Sequence, residues 1–460
     1  MAETDSTDER FMRRALKLAR KAQGCVSPNP LVGAVIVRDG RIIAEGYHHC
    51  CGGAHAEIDA ISRATGRIAG ATFYVTLEPC SHHGRTPPCA DALVQQKPAR
   101  VVVGAIDPNP LVSGRGLAAL QRAGIETSVG VLEEECRELN RVFFKYIQTG
   151  RPFVTLKFAQ TLDGRIATAA GHSRWISSPP SLRFAHRLRA THDAVLVGAG
   201  TVAADDPRLT CRLVRGRDPL RIVVDSRLRL PPEAQLFSDG KRTLAVCGLD
   251  APPERRKALE RRGIEVMPTG TKSGRVDLAE LLERLGKRGI SSLLVEGGAT
   301  LATAFLREGL ADRLIVILAP KITGAGIEAV GDLGIRRMDD ALAWRYRRIV
   351  RCGEDLILDA RPRENTPAPP VGTACAAEPG SGSPGGSILP PVAREPLSAQ
   401  TEGPLCRPDP VEGGTDDAPG VAGPLPAGEE PPGVYSLAVL APQDTDGRGG
   451  PGLHPDQQGL

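Results

Sequence analysis

Thr76-Leu77-Glu78-Pro79-Cys80-Ser81-His82-His83-Gly84-Arg85-Thr86-Pro87-Pro88-Cys89, read with the earlier triplet His55-Ala56-Glu57, decides the fold of the first half of this 460-residue chain. One imidazole and two thiols, those of His55, Cys80 and Cys89, make a donor set that suits Zn2+. Three protein ligands leave a fourth position for water, which marks a catalytic rather than a structural zinc. Glu57 cannot easily join the same set. On a regular helix, residues two apart point to nearly opposite sides, so His55 and Glu57 converge only at a first turn. Gly52-Gly53 fits a turn that delivers the chain into such a start. Glu57 is then placed to carry protons between the water and a substrate. The competing arrangement is a closed Cys/His zinc knuckle. It needs a fourth ligand, for which Cys50, Cys51, His82 and His83 are candidates.

His-x-Glu followed by Pro-Cys and a second Cys is the signature of zinc-dependent nucleobase deaminases. Outward from it, strands alternate with helices. Ser6 or Thr7 caps a helix that runs to about Ala22, with Phe11, Ala15, Leu18, Ala19 and Ala22 on one face. Val32–Val37 and Arg41–Gly46 read as strands joined by an Asp39-Gly40 hairpin turn. A helix runs from about His55 to Ala64 and a strand from Thr72 to Leu77. Cys89 opens a helix, and the strand Arg100–Ile106 ends at Asp107-Pro108-Asn109-Pro110. This alternation predicts an α/β layer with its site in the loops at strand ends. A second α/β unit begins near Gly150, with strands over Phe153–Phe158, Arg165–Ala167, Ala194–Val197, Arg221–Asp225, Leu244–Cys247, Ser292–Val295, Leu314–Leu318 and Leu356–Leu358, and helices over Leu281–Lys287 and Ala302–Glu308. The expected organisation is domains 1–149 and 150–360, with self-sufficient sites, followed by a tail over 361–460. The tail holds about half of the 39 prolines. It has few large apolar residues to offset its ordering entropy, so it is expected to be disordered.

A formal charge of +4 is small for this length and gives no reason to expect nucleic acid or a membrane surface. No apolar run approaches the roughly 20 residues that span a bilayer. The acidic N-terminus has no signal-peptide core. The 11 scattered cysteines read as reduced thiols and metal ligands in a cytoplasmic protein.

The two halves together resemble the bacterial bifunctional riboflavin-biosynthesis deaminase–reductases over about residues 8–360. The stretches that carry it are Pro28-Asn29-Pro30-Leu31-Val32-Gly33, Gly46-Tyr47-His48, the zinc signature above and Asp107-Pro108-Asn109-Pro110. In the second half they are Thr161-Leu162-Asp163-Gly164, Ser173-Arg174-Trp175-Ile176, Asp205-Asp206-Pro207-Arg208-Leu209-Thr210 and Val295-Glu296-Gly297-Gly298. Cytidine and tRNA deaminases usually put two residues between their cysteines; here there are eight.

The resemblance implies a cytidine-deaminase-like domain followed by a dihydrofolate-reductase-like one. It implies two successive steps on a phosphoribosyl-pyrimidine, hydrolytic deamination and then NADPH-dependent reduction. It places Asn29, His48, Asp107 and Asn109 around the first substrate, with His82 and Arg85 near its 5′-phosphate. In the second half it assigns Ala159, Trp175, Thr201, Asp205, Ser226 and the segment Gly298, Ala299, Thr300, Leu301, Ala302, Thr303 and Ala304 to NADPH. Ser173, Arg189, Leu209, Arg212 and Glu296 then meet substrate. Plainer readings stand beside these: Asx turns for Asn29 and Asn109, a core position for Trp175, and surface ion pairs for Arg189 and Arg212. Gly198-Ala199-Gly200 falls short of a dinucleotide fingerprint, whereas Glu296-Gly297-Gly298 suits a phosphate at a helix start. Homo-oligomerisation is compatible with the sequence. The rivals are a deaminase of free bases with a degenerate second domain, and a zinc-stabilised scaffold.

Overall fold

The computed structural model describes residues 6–81, 87–110 and 112–363. His82, Arg85 and the tail beyond residue 363 lie outside them. Ser6 caps α1 (Thr7–Arg20) by accepting from the Glu9 amide at 3.2 Å, and the helix buries Phe11, Met12, Ala15, Leu16, Leu18 and Ala19. β1 (Gly33–Arg38) and β2 (Arg41–Tyr47) form the expected hairpin. Asp39 (φ 50°) and Gly40 (φ 72°) supply the two left-handed residues of its turn. α2 (Ala56–Ser62), β3 (Thr72–Leu77), α3 (Cys89–Gln96) and β4 (Arg100–Ala105) follow within a residue or two of expectation. α4 (Arg115–Arg122), β5 (Glu126–Val129), α5 (Glu133–Leu139) and α6 (Arg141–Thr149) complete the unit. The sheet order is β2-β1-β3-β4-β5, with β3, β4 and β5 parallel. Helices cover both faces, so its apolar residues form two cores. The carboxyl ends of β3 and β4 open beside each other, and this juxtaposition brings Cys80 and Asp107 to one edge.

The second unit contains β6 (Phe153–Thr161), β7 (Arg165–Thr168), α7 (Pro179–Thr191), β8 (Ala194–Gly198), α8 (Ala199–Asp205), β9 (Leu220–Val224), α9 (Gln235–Ser238) and β10 (Thr243–Gly248). It continues with α10 (Pro253–Glu260), β11 (Glu265–Thr269), the short β12 (Thr271–Lys272) and β13 (Arg275–Val276), α11 (Leu278–Lys287), β14 (Ser292–Val295) and α12 (Ala299–Arg307). β15 (Arg313–Ala319), β16 (Gly326–Glu328), β17 (Trp344–Cys352) and β18 (Asp355–Pro362) close it. Nine strands form one sheet in the order β11-β10-β9-β8-β14-β6-β15-β18-β17. The run from β11 to β15 is parallel, and the last two strands are antiparallel. β18 carries the fold to Pro362, two residues past the expected end.

The two units touch through side chains as well as through the linker. Tyr146 on α6 donates its hydroxyl to Gly286 O at 3.0 Å, and Lys145 pairs with Asp312. Arg361 on β18 reaches back to Glu138 on α5. Among the described residues no helix is long and apolar enough to cross a membrane.

α2 lies directly on β2, and Gly46 is what lets it. A Cβ at position 46 would stand 2.3 Å from Ala60 N and 2.5 Å from Ala56 O, both helix backbone. Neither can swing aside, so a methyl group there lifts the helix that carries the zinc signature. Gly46→Ala is therefore expected to lower stability by about 1–3 kcal/mol in urea unfolding. It should also lower the zinc retained per chain, measured by elemental analysis; a mutant with the parent's stability and zinc content would contradict this packing argument.

Candidate active sites

His55 is the N-cap of α2, with extended backbone (φ −72°, ψ 160°), and Glu57 sits in the helix's first turn. That is how residues two apart come to share one site. Cys89 opens α3, and Cys80 hangs from the loop after β3. Three ligand atoms, one from each residue, lie within 4.8 Å of one another. His55 Nδ1 stands 3.2 Å from Cys89 Sγ and 3.5 Å from Cys80 Sγ. Tetrahedral zinc with its usual bond lengths holds nitrogen and sulfur about 3.6 Å apart, so the set needs little adjustment to take the ion. Cys50 and Cys51 are not part of the cluster. The knuckle reading therefore finds no fourth ligand among the described residues.

The cluster is also built for thiolate. The Cys89 thiol, the His55 imidazole and the Cys89 backbone N–H, 3.3 Å from Cys80 Sγ, together pull Cys80 down to about 4 despite its burial. Cys89 is pushed up by the adjacent Cys80, and the hydrogen bond with Cys80 raises His55. Burial, then the negative charge of Cys80, pushes Glu57 up to about 7. Glu57 is 3% exposed, yet its Oε2 has no hydrogen-bond partner among the described residues. A buried carboxylate oxygen without a partner is costly unless a ligand answers it.

Two of the expected substrate residues, Asn29 and His48, lie beside this centre. His48 Nδ1 donates to Ala54 O at 2.9 Å, which leaves Nε2 to accept from Asn29 Nδ2 at 3.1 Å. Burial holds the His48 ring below its usual pKa, as this neutral tautomer requires. The Asx-type turn at the second loop belongs to Asp107, whose Oδ1 accepts the Asn109 amide at 2.8 Å. Glu78 was quoted in the motif without a role, and the structure gives it one. Its buried carboxylate accepts the amides of Asp107, Gly114, Gly116 and Leu117 at 3.4, 3.0, 3.1 and 3.4 Å. It thereby caps α4 from outside and ties the Asp107–Asn109 loop to the Cys80 strand.

In the second unit, α8 and α12 both start at carboxyl ends of the neighbouring parallel strands β8 and β14. Gly298 is the N-cap of the nine-residue α12, and no side chain caps it. Its first amides are thus available to a phosphate. Thr201 on α8 is buried, and its hydroxyl has no partner among the described residues. Ser226, at the end of β9, accepts the Val276 amide at 3.1 Å. Ala159 lies buried on β6, and Trp175 is partly exposed beyond it. Arg174 reaches Asp205 O at 3.4 Å, and Ser173 is buried beside them in sequence.

Arg189 forms an ion pair, but a buried one: Nε and Nη2 both lie 2.8 Å from the Glu296 carboxylate, and Nη1 donates to Thr210 O at 3.3 Å. Burial pushes Glu296 upward, but Arg189 overrides it and holds the carboxyl down at about 2. Lys157 on β6, also buried, faces the same carboxylate, and desolvation lowers its ammonium. A lysine inside the otherwise apolar Phe153–Phe158 run was the signal the sequence offered for it. The Arg212 amide donates to His186 Nδ1 at 2.9 Å, and Arg212 borders a cleft of about 400 Å³ with Arg208, Lys241 and Asp239. Leu209, buried with φ +55°, turns the chain into that cleft.

Comparison with known proteins shows what both domains are similar to. A family model described as the cytidine and deoxycytidylate deaminase zinc-binding region matches residues 5–105, and one described as the RibD C-terminal domain matches residues 152–358. The riboflavin biosynthesis protein RibD of Aquifex aeolicus is 46% identical over 352 residues, covering 76% of this chain and 97% of the relative. The chain belongs to the RibD family. The RibD protein of Escherichia coli is 44% identical over 368 residues, covering 76% of this chain and 98% of that one. A solved Acinetobacter baumannii RibD aligns at TM-score 0.71 and 38% identity, over 78% of this chain and 99% of that one. A Thermotoga maritima diaminohydroxyphosphoribosylaminopyrimidine deaminase/5-amino-6-(5-phosphoribosylamino)uracil reductase aligns at 0.68 and 39%, over 77% and 99%. The first domain is therefore the RibD deaminase with a zinc-binding region, and the second is the RibD reductase, of dihydrofolate-reductase-like fold.

The Arg189–Glu296 pair carries a stability prediction. Removing one partner of a buried pair typically costs about 3–5 kcal/mol, because the other charge is stranded. Arg189→Met should show much of this loss in urea unfolding, with Lys157 left to face the Glu296 carboxylate, and the double variant Arg189→Met/Glu296→Leu removes the carboxylate altogether. Glu296 titrates lower in the folded chain than its ordinary 4.5, so the pair's contribution is complete above about pH 4.5 and fades as pH falls towards about 2. The double variant should lack that acid-dependent component; an unchanged profile would contradict the assignment.

Proposed function

We infer that the deaminase domain removes the 2-amino group of 2,5-diamino-6-ribosylamino-4(3H)-pyrimidinone 5′-phosphate. The reductase domain then uses NADPH to convert the ribosyl to a ribityl group, giving 5-amino-6-(5-phosphoribitylamino)uracil. One observation carries the first step: His55, Cys80 and Cys89 converge beside a buried carboxylate with an unanswered oxygen. His55, Cys80 and Cys89 are the residues to hold zinc, which supplies Lewis acidity for using water as the nucleophile near neutral pH. Glu57 would carry the two protons of the water in turn, the first to the ring nitrogen as the oxygen adds to the carbon, and the second to the amine as it departs as ammonia. Its raised pKa suits a group that must both accept and donate. Asn29 and His48 hold one edge of the pyrimidine, and Asp107 and Asn109 the other. His82 and Arg85 are retained as partners of the 5′-phosphate.

For the second step, the Gly298–Ala304 helix start is assigned to an NADPH phosphate, with Ala159, Trp175, Thr201, Asp205 and Ser226 lining the rest. NADPH supplies the reducing equivalents. Ser173, Leu209, Arg212 and Glu296 face the substrate, and Arg189 fixes the Glu296 carboxylate. The basic cleft beside Arg212 offers its phosphate a place. A deaminase of free bases would have no use for such a cleft or for the reductase fold.

Glu57→Gln should keep its zinc but lose about 10²–10⁴ in deamination rate, read as ammonia release. Loss of the metal from this variant, or near-normal release, would refute the proton-carrying role. In the other domain, Gly298→Val places a side chain where the backbone must approach phosphate closely. It should raise the apparent KM for NADPH and leave deamination unchanged. Parent-like NADPH affinity in the folded variant would move the cofactor site elsewhere, first to Gly198–Thr201.

A further inference from the structure

The deaminase domain holds only the far end of its substrate loop: the Leu31 amide donates to Asn140 Oδ1 at 2.7 Å and Asn140 Nδ2 donates to Leu31 O at 2.9 Å, whereas the near end rests on the reductase domain. After α1 the chain passes through Gly24–Asn29 and crosses to the reductase domain. Gly24 has φ +86°, and a Cβ there would meet Ala190 O at 2.7 Å, so the loop lies flush on the end of α7. Three residues on, Ser27 Oγ donates to Asp193 Oδ2 at 2.7 Å and lies 2.9 Å from Ser291 Oγ. The same carboxylate gathers the amide and hydroxyl of Ser291 (3.0 and 2.8 Å) and of Ser292 (both 3.0 Å), and pairs with Arg217 at 2.5 Å. Burial works against ionisation here, yet the Ser27 hydroxyl, Arg217 and the two serines keep Asp193 below the usual carboxylate range.

What this clamp holds is the turn next to the deaminase centre. One proline separates Ser27 from Asn29, and Asn29 Nδ2 meets His48 Nε2 at 3.1 Å. His48 in turn is fixed by Ala54 O, and its ring stands edge-on to the His55 ring with centroids 5.5 Å apart. An unbroken set of contacts thus runs from a reductase carboxylate to a zinc ligand of the other domain. The reductase side is rigid by construction, because Asp193 lies in the tight connection from α7 to β8 and Ser292 begins β14.

We propose that Asp193 is a positioning residue for deamination: through Ser27 the reductase domain sets the turn that presents Asn29 and His48 to the pyrimidine. The deaminase site is then complete only with the second domain docked, in place of two self-sufficient sites. This inference rests on the reading of Asn29 and His48 as substrate contacts.

The test uses the full chain. Ser27→Ala removes the deaminase side of the clamp and leaves Asp193 its Ser291, Ser292 and Arg217 partners. It should raise KM for the diaminopyrimidinone phosphate by about fivefold to tenfold, the scale of one ordinary hydrogen bond acting at one remove from the substrate, with kcat and zinc content little changed. Reduction of the separately supplied deaminated intermediate should stay at the parent rate. Ser27→Thr keeps a hydroxyl and should recover most of the loss. Ser291→Ala, made from the reductase side with the loop sequence untouched, should raise the same KM, and it decides the matter if Ser27→Ala fails to fold. A parent-like KM in the folded, zinc-loaded variants would overturn the proposal and leave the clamp as interdomain adhesive. No ammonia release from the parent protein would instead sink the reading of the site itself.

Discussion

Charge taken out of water must be answered by the chain, and in this protein each answer fixes a functional loop. Glu78 has four backbone amides for its carboxylate, and those amides belong to the segment that presents Asp107 and Asn109. Glu296 has Arg189 and Lys157 about it, at the carboxyl end of β14, two residues before the Gly298 N-cap of α12. Asp193 has three serines and an arginine at the junction of the domains. Such groups are expensive to bury and more expensive to strand, so each geometry is specified narrowly. Glu57 is the exception. Its buried oxygen has no partner among the described residues, and it stands beside the His55, Cys80 and Cys89 cluster.

The zinc centre was legible in the sequence because its logic is local. Two of its ligands lie at helix starts, and a Gly-Gly turn or a Pro-Pro pair announces each start. The requirement that His55 and Glu57 meet only at a first turn is met by His55 standing at the N-cap in extended backbone. Apolar β-branched runs such as Thr72–Leu77 and Ser292–Val295 were equally readable, since buried parallel strands admit little else.

The rest was hidden for identifiable reasons. α7 turns His186 and Arg189 inward beside Ala185 and Leu188, so its apolar periodicity is weak. β17, with the sequence WRYRRIVRC, is the sheet's outer strand and largely solvent-exposed, so no apolar alternation marks it. The partnerships that matter most for the sites join residues far apart in sequence: Arg189 to Glu296 across 107 positions, Ser27 to Asp193 across 166. A one-dimensional pattern names such residues as polar and surprising but does not pair them. Glu78 was overlooked because its partners are backbone amides, which leave no trace in residue identity.

The junction around Asp193 also bears on how such a chain changes over evolutionary time. Fused enzymes are often pictured as beads on a string that can be recut and recombined. Here a cut at the linker would bare an aspartate surrounded by serines on one piece and, on the other, a Ser27 hydroxyl that has lost its partner carboxylate. Duplication, drift and loss of one activity are open routes for this architecture, and a clean swap of either half for an unrelated partner is not.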